Sequence, residues 1–246
     1  MAIWDIKERY KKVRANQLSR GAGRLLWAGG SVPGESNVIS YVHVPTTGNA
    51  ADFGDLTVTK KSMGSASTHT RIVWSSGYNS PTSTNVSEVV SIASLGNTTD
   101  FGDSTLARNS LSAGVGNEIR GLFGGGIGGS PEATQNVIDY VTYTSLGNSA
   151  DFGDLTAARQ HATAGFSSLT RGVFSGGSNY VNTVDFVTIN TTGNASDFGD
   201  LSVAREKAAG ASTNTRGVVL GGSVPSDTAT NVIDYVTTAS TGDATD

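Results

Sequence analysis

The sequence contains no cysteine, which excludes disulfides and thiolate metal sites. It has no run of eighteen apolar residues, so no membrane-spanning helix can be drawn. Its opening, Met1 to Arg14, lacks the apolar stretch of a secretion signal. Histidine is limited to His43, His69 and His161, and these fall at different phases of the pattern described below, so no shared metal site is expected. Apolar residues make up only 37%, while glycine reaches 32 of 246. That balance argues against a helical bundle and suits short strands joined by tight turns.

Charge is unevenly spread. Residues 1–24 carry +5 and the remainder −9. A basic arm on an acidic body either seeks an acidic partner or serves as a solvated segment.

Self-similarity decides the architecture. An apolar phrase opening on arginine occurs five times, at Arg24, Arg71, Arg120, Arg171 and Arg216, and closes on Gly30, Gly77, Gly126, Gly177 and Gly222. A β-branched phrase follows each, opening on Asn37, Asn85, Asn136, Asn182 and Asn231. Then comes Asp-Phe-Gly-Asp, at 52–55, 100–103, 151–154 and 197–200. A short segment ends in Lys60, Arg108, Arg159 or Arg205, and an Ala/Gly/Ser stretch leads into the next unit. Each unit reads as four strands: the Ala/Gly/Ser stretch, the Arg phrase, the Val-Ile-Asp-Tyr-Val phrase, and the segment after Asp-Phe-Gly-Asp-Leu. Four strands at a period near fifty predict a β-propeller of five blades.

These residues resemble the kelch family. The Gly-Gly pairs, the aromatics Tyr41, Tyr140, Phe186 and Tyr235, and the closing arginine match its pattern. The family's tryptophan is replaced by Phe53, Phe101, Phe152 and Phe198. The repeated Thr-Gly-Asn-Ala-Asp-Phe-Gly-Asp-Leu-Thr, with the Ile-Trp-Asp-Ile-Lys-Glu-Arg-Tyr opening, also looks like kelch-like virion structural proteins of marine tailed phages, including cyanophages. The resemblance implies an all-β, five-bladed kelch-like propeller over residues 21–246, preceded by a basic segment, 1–20, that anchors the protein and closes the ring. Residues 13–23 are expected to complete the fifth blade as strand, and residues 4–12 to form a short helix, since Ile3, Ile6, Tyr10 and Val13 follow helical spacing.

Repeats within one chain give an internal control: a residue in every copy serves the fold, and a site shows as a departure. The paired carboxylates of Asp-Phe-Gly-Asp occur in four copies and cannot converge on one centre; turn and cap chemistry is expected of them. Gly124 to Gly129 lacks the Lys-Ser/Thr of a phosphate loop. No serine stands in a Gly-x-Ser-x-Gly elbow. Asp139, Asp185 and Asp234, with Glu88 and Ser40 at the equivalent place, look like strand residues. No enzyme activity, cofactor or metal is expected.

What varies is the turn after each Gly-Gly, and length variation on a rigid scaffold is where recognition usually sits. Tyr78, Pro81, Pro131 and Tyr180 are the candidate contact residues there, and Trp4, Tyr10, Lys11 and Lys12 on the N-terminal segment. The expected partners are other virion proteins, and a host surface protein or glycan, with several copies in the assembly; nucleic acid and membrane are not expected. The expected location is the virion, as a tail fibre, spike or decoration protein. A cellular kelch-type adaptor and a glycan-active propeller enzyme are the alternative readings.

Overall fold

The structure is a computed structural model, and it describes residues 23–31, 33–111, 113–161 and 164–246. The chain is all-β: short antiparallel strands, a three-residue 3-10 turn at Pro225–Asp227, and no α-helix among the described residues. The expectations placed on residues 1–22, the helix over 4–12 and the strand closure over 13–23, lie outside the described residues.

Five main sheets follow one another along the chain, with three small ones of two or three short strands in the connecting loops. The second unit is the clearest: Gly64–Ser67, Arg71–Ser75, Val86–Ser91 and Thr99–Asp103 form a meander in that order. The third repeats it with Ala113–Gly116, Arg120–Gly124, Val137–Thr142 and Ala150–Asp154. The fourth uses Ala164–Ser167, Arg171–Ser175, Thr183–Thr188 and Ser196–Asp200. Three strands of the first unit are described, Arg24–Ala28, Val38–His43 and Ala51–Asp55. The fifth has Ala209–Ser212, Arg216–Leu220 and Ile233–Thr237, with an isolated bridge between Tyr235 and Thr245 where the fourth strand would lie.

One strand assignment from the sequence is corrected. The fourth strand is Asp-Phe-Gly-Asp itself, not the segment after it. Its glycine and two aspartates look like a turn, yet a β-bulge accommodates them. In units one to four the register slips at the same place, between Ile39 and Ser40, Ser87 and Glu88, Ile138 and Asp139, and Val184 and Asp185. The phenylalanine is the residue left without a partner, and the bulge turns it inward. Phe53, Phe101, Phe152 and Phe198 are all buried.

The core lies between consecutive sheets. At the first junction Leu26, Ile39, Phe53 and Leu56 of unit one meet Ile72, Trp74, Val90 and Ile92 of unit two. Apolar residues point both ways from the second strand because both faces of each inner sheet are covered. The first strands of units two to five also run side by side, each beside the next.

Backbone hydrogen bonds reinforce the stacking. Gly96 N donates to Phe53 O at 2.8 Å, and the pattern repeats from Gly147 to Phe101, Gly193 to Phe152 and Gly242 to Phe198. Gly102 shows why glycine follows the phenylalanine. Its φ is +134°, and a Cβ there would lie 2.4 Å from the carbonyl of Gly147 in the next unit.

Candidate binding face

The residues common to all units serve the junctions. The arginine opening each second strand reaches the following unit: Arg24 Nη1 donates to Ile92 O, Arg71 to Tyr143 O, Arg120 to Ile189 O and Arg171 to Thr238 O, at 2.6–3.2 Å. The same guanidinium lies over an aromatic of its own unit, as Arg120 over Tyr140 at 4.6 Å and Arg171 over Phe186 at 4.6 Å.

The cation closing each unit enters the next sheet. Arg108 pairs with Asp139 at 2.7 Å, Arg205 with Asp234 at 2.9 Å, Arg159 with Asp185, and Lys60 with Glu88 at 2.6 Å. These pairs are buried. Arg108 also donates to the carbonyls of Phe123, Gly125 and Val137, so its charge is dispersed over several acceptors. The hydroxyl residue after Asp-Phe-Gly-Asp binds the same acid: Thr105 Oγ1 donates to Asp139 Oδ1, and Ser202 Oγ to Asp234 Oδ1, both at 2.5 Å.

Burial pulls the Arg108 guanidinium below its ordinary value, opposed by the charge of Asp139. Burial also lowers the Lys60 ammonium, against the pull of Glu88. At Glu88 burial acts to raise the carboxyl, but the charge of Lys60 and hydrogen bonds from Lys60 and Thr57 outweigh it and hold the group below the usual range.

These ion pairs were missed in the sequence, where the acids looked like ordinary strand residues. A signal was present. Lysine replaces arginine only at position 60, and glutamate replaces aspartate only at position 88, and the two exceptions are partners.

The Asp-Phe-Gly-Asp carboxylates lie on strands, and two of them accept a local backbone N–H. Asp100 Oδ1 accepts from Gly102 N at 3.1 Å, and Asp197 Oδ1 from Gly199 N at 3.3 Å. Asp55, Asp103 and Asp154 donate backbone N–H to Asn97, Asn148 and Asn194 of the next unit. Among the described residues no three His, Cys, Asp or Glu side chains gather as metal ligands.

With the shared residues absorbed by the scaffold, the loops after Gly-Gly are left to vary. Acidic side chains tie neighbouring loops together. Glu35 accepts from Ser80 N at 3.0 Å and lies 3.5 Å from Lys61. Ser83 Oγ donates to Glu132 at 3.2 Å, and Tyr180 Oη lies 3.3 Å from Asp227 Oδ1. The first, second and third loops therefore lie in a row, and the fourth lies beside the fifth.

Between the second and third loops is a cleft of about 590 Å³ lined by Tyr78, Pro81, Ser83, Leu106, Ser130 and Glu132. One lip is the hairpin Tyr78–Asn79 with Thr82–Ser83, the other Ile127–Gly128 with Ala133–Thr134. Lys61 Nζ stands 5.1 Å from the centre of the Tyr78 ring. Tyr78 and Pro81 thus share one site, and Pro131 is exposed on its opposite lip. Tyr180 is placed elsewhere, half-buried at the junction of the fourth and fifth loops, with its hydroxyl engaged by Asp227. There Lys207 hydrogen-bonds Asp227 and holds its carboxyl below the usual range. Trp4, Tyr10, Lys11 and Lys12 lie outside the described residues. Comparisons with known protein families and with curated proteins find no match.

Proposed function

We propose that the five sheets are blades of a kelch-type propeller, with consecutive first strands turned toward its axis, and that the protein is a structural component of a tailed-phage virion. It docks through the N-terminal segment, using Trp4, Tyr10, Lys11 and Lys12, and presents its loop face to a host surface protein or glycan. The observation carrying this reading is the division of labour within the repeat. The shared polar residues are spent on unit-to-unit contacts, and the second and third variable loops flank a cleft with an aromatic ring, a proline and a carboxylate. Such a surface binds without requiring chemistry. Deleting residues 1–12 tests the docking role in purified particles. Loss of the protein from particles is the expected result, and undiminished incorporation refutes it. Tyr78→Ala then reports on the loop face: incorporation stays normal and adsorption to host cells falls.

A further inference from the structure

The loops after Gly-Gly hold three carboxylates, Glu35, Glu132 and Asp227, and two of them have a lysine. Glu35 lies 3.5 Å from Lys61 Nζ, and Asp227 lies 3.1 Å from Lys207 Nζ. Glu132 pairs with no cation among the described residues. Its partner is neutral: Ser83 Oγ donates to its Oε1 at 3.2 Å. Ser83 is itself held, because Asn109 Nδ2 donates to its Oγ at 2.8 Å and Ser110 Oγ donates to Asn109 Oδ1 at 2.7 Å. Three hydrogen bonds in a row thus orient the carboxylate at the cleft, and no hydrogen bond among the described residues uses its Oε2.

The walls beside it are largely apolar, with the Tyr78 ring, Pro81, Leu106 and Ala107. Tyr78 departs from its equivalents, which are Ser31, Ile127, Ser178 and Ser223. The departures that mark a site in a repeated chain therefore coincide here: an aromatic found in one unit and a loop acid without a lysine. Lys61, 5.1 Å from the centre of the Tyr78 ring, does not neutralise Glu132, since it is paired with Glu35.

An unpaired acid at the end of an apolar wall matches a side chain with a cationic head and an apolar stem. A neutral sugar would leave the charge as it is. A metal ion needs several ligands, and no three acidic or histidine side chains gather among the described residues. The net charge of −9 on the chain after residue 24 also draws cationic partners. We infer that the cleft takes an arginine side chain from the surface of a partner protein, with the guanidinium on Glu132 and the stem along Tyr78, Pro81 and Leu106. Arginine fits better than lysine because its flat fork engages both carboxylate oxygens and lies well on an aromatic ring. The inference rests on the loop face being a binding face, and it narrows the ligand of that face to a protein.

Titrating the isotope-labelled full chain with N-acetyl-arginine amide tests it, with N-acetyl-glutamate amide and maltose as the comparison probes. The capped arginine is expected to give saturable shifts at the amides of Tyr78, Ser83 and Ala133, weakening as salt is added. The capped glutamate is expected to give none. Glu132→Gln keeps an acceptor for Ser83 and removes only the charge, and its affinity for the capped arginine is expected to fall about tenfold. Asp227→Asn removes the same charge at the junction of the fourth and fifth loops and should bind as the wild type does. The amide spectrum reports the fold of each variant. If Glu132→Gln fails to fold, Thr82→Lys replaces it, bringing an ammonium of its own to the cleft and abolishing binding. No saturable shift in the wild type overturns the inference. Undiminished binding by Glu132→Gln overturns it too, as does an equal loss in Asp227→Asn, which means that overall charge acts and not the cleft. Maltose shifts that persist in Glu132→Gln also overturn it, while leaving the loop face a binding face for a glycan.

Discussion

Arg108 and Asp139 carry opposite charges into a place where water does not reach. Removing one partner of such a pair strands the other, at a cost of about 3–5 kcal/mol. Arg108→Ala is therefore expected to lose about that much stability in urea unfolding. Replacing both by apolar residues of similar volume should cost far less, since the burial penalty goes with the charges. Glu88 adds a pH dependence. Its folded pKa lies below the unfolded value of about 4.3, so its contribution is complete above that pH and is lost as pH falls through the folded pKa. Comparing wild type with Glu88→Gln between pH 7 and pH 3 checks this: the gap in stability should hold down to about pH 4 and shrink below it. At this scale the sequence showed which residues recur but not what they touch. Lys60 and Glu88 are 28 positions apart, and only the stacking of one sheet on the next brings them together.

The order of strands was legible because each unit repeats its own punctuation. Gly-Gly ends the second strand, and asparagine opens the third. The fourth strand was misplaced because Asp-Phe-Gly-Asp has turn composition, and nothing local reveals that its glycine is needed for the approach of the next unit. Gly102→Ala is expected to cost about 1–3 kcal/mol from backbone strain alone, with more from the clash at Gly147. Gly48→Ala is the matching control: nothing lies within 4 Å of its Cβ position, and its melting temperature should equal that of the wild type. The cleft beside Tyr78 was legible only in part. Loop variation pointed to Tyr78, Pro81 and Pro131, but Leu106 and Glu132 join them through the fold. Tyr180 looked equivalent to Tyr78 and is not, because Asp227 of the next loop takes its hydroxyl.

For the molecule as a whole, stability is close to a sum of unit terms and junction terms. Inner units have two junctions, and the described end units one. Hydrogen exchange should follow this order. Amides of Arg120–Gly124 in the third unit are expected to exchange slowest, and those of Ala209–Ser212 fastest among the first strands, since all four residues of that strand are exposed. Uniform protection across the five units would contradict a nearest-neighbour array.

Near-identical repeats in one chain carry a folding hazard, because a sheet can settle on the wrong sibling. The pair at the first junction limits that error. Lysine and glutamate meet there, while every later junction joins arginine to aspartate. Were the third unit to take the second sheet in place of the fourth, Arg159 would face Glu88, and a bulkier guanidinium would enter a space built around the Lys60–Glu88 pair. The exchange of two residues thus works as an address, marking which sheet belongs at the head of the row before the rest have found their places.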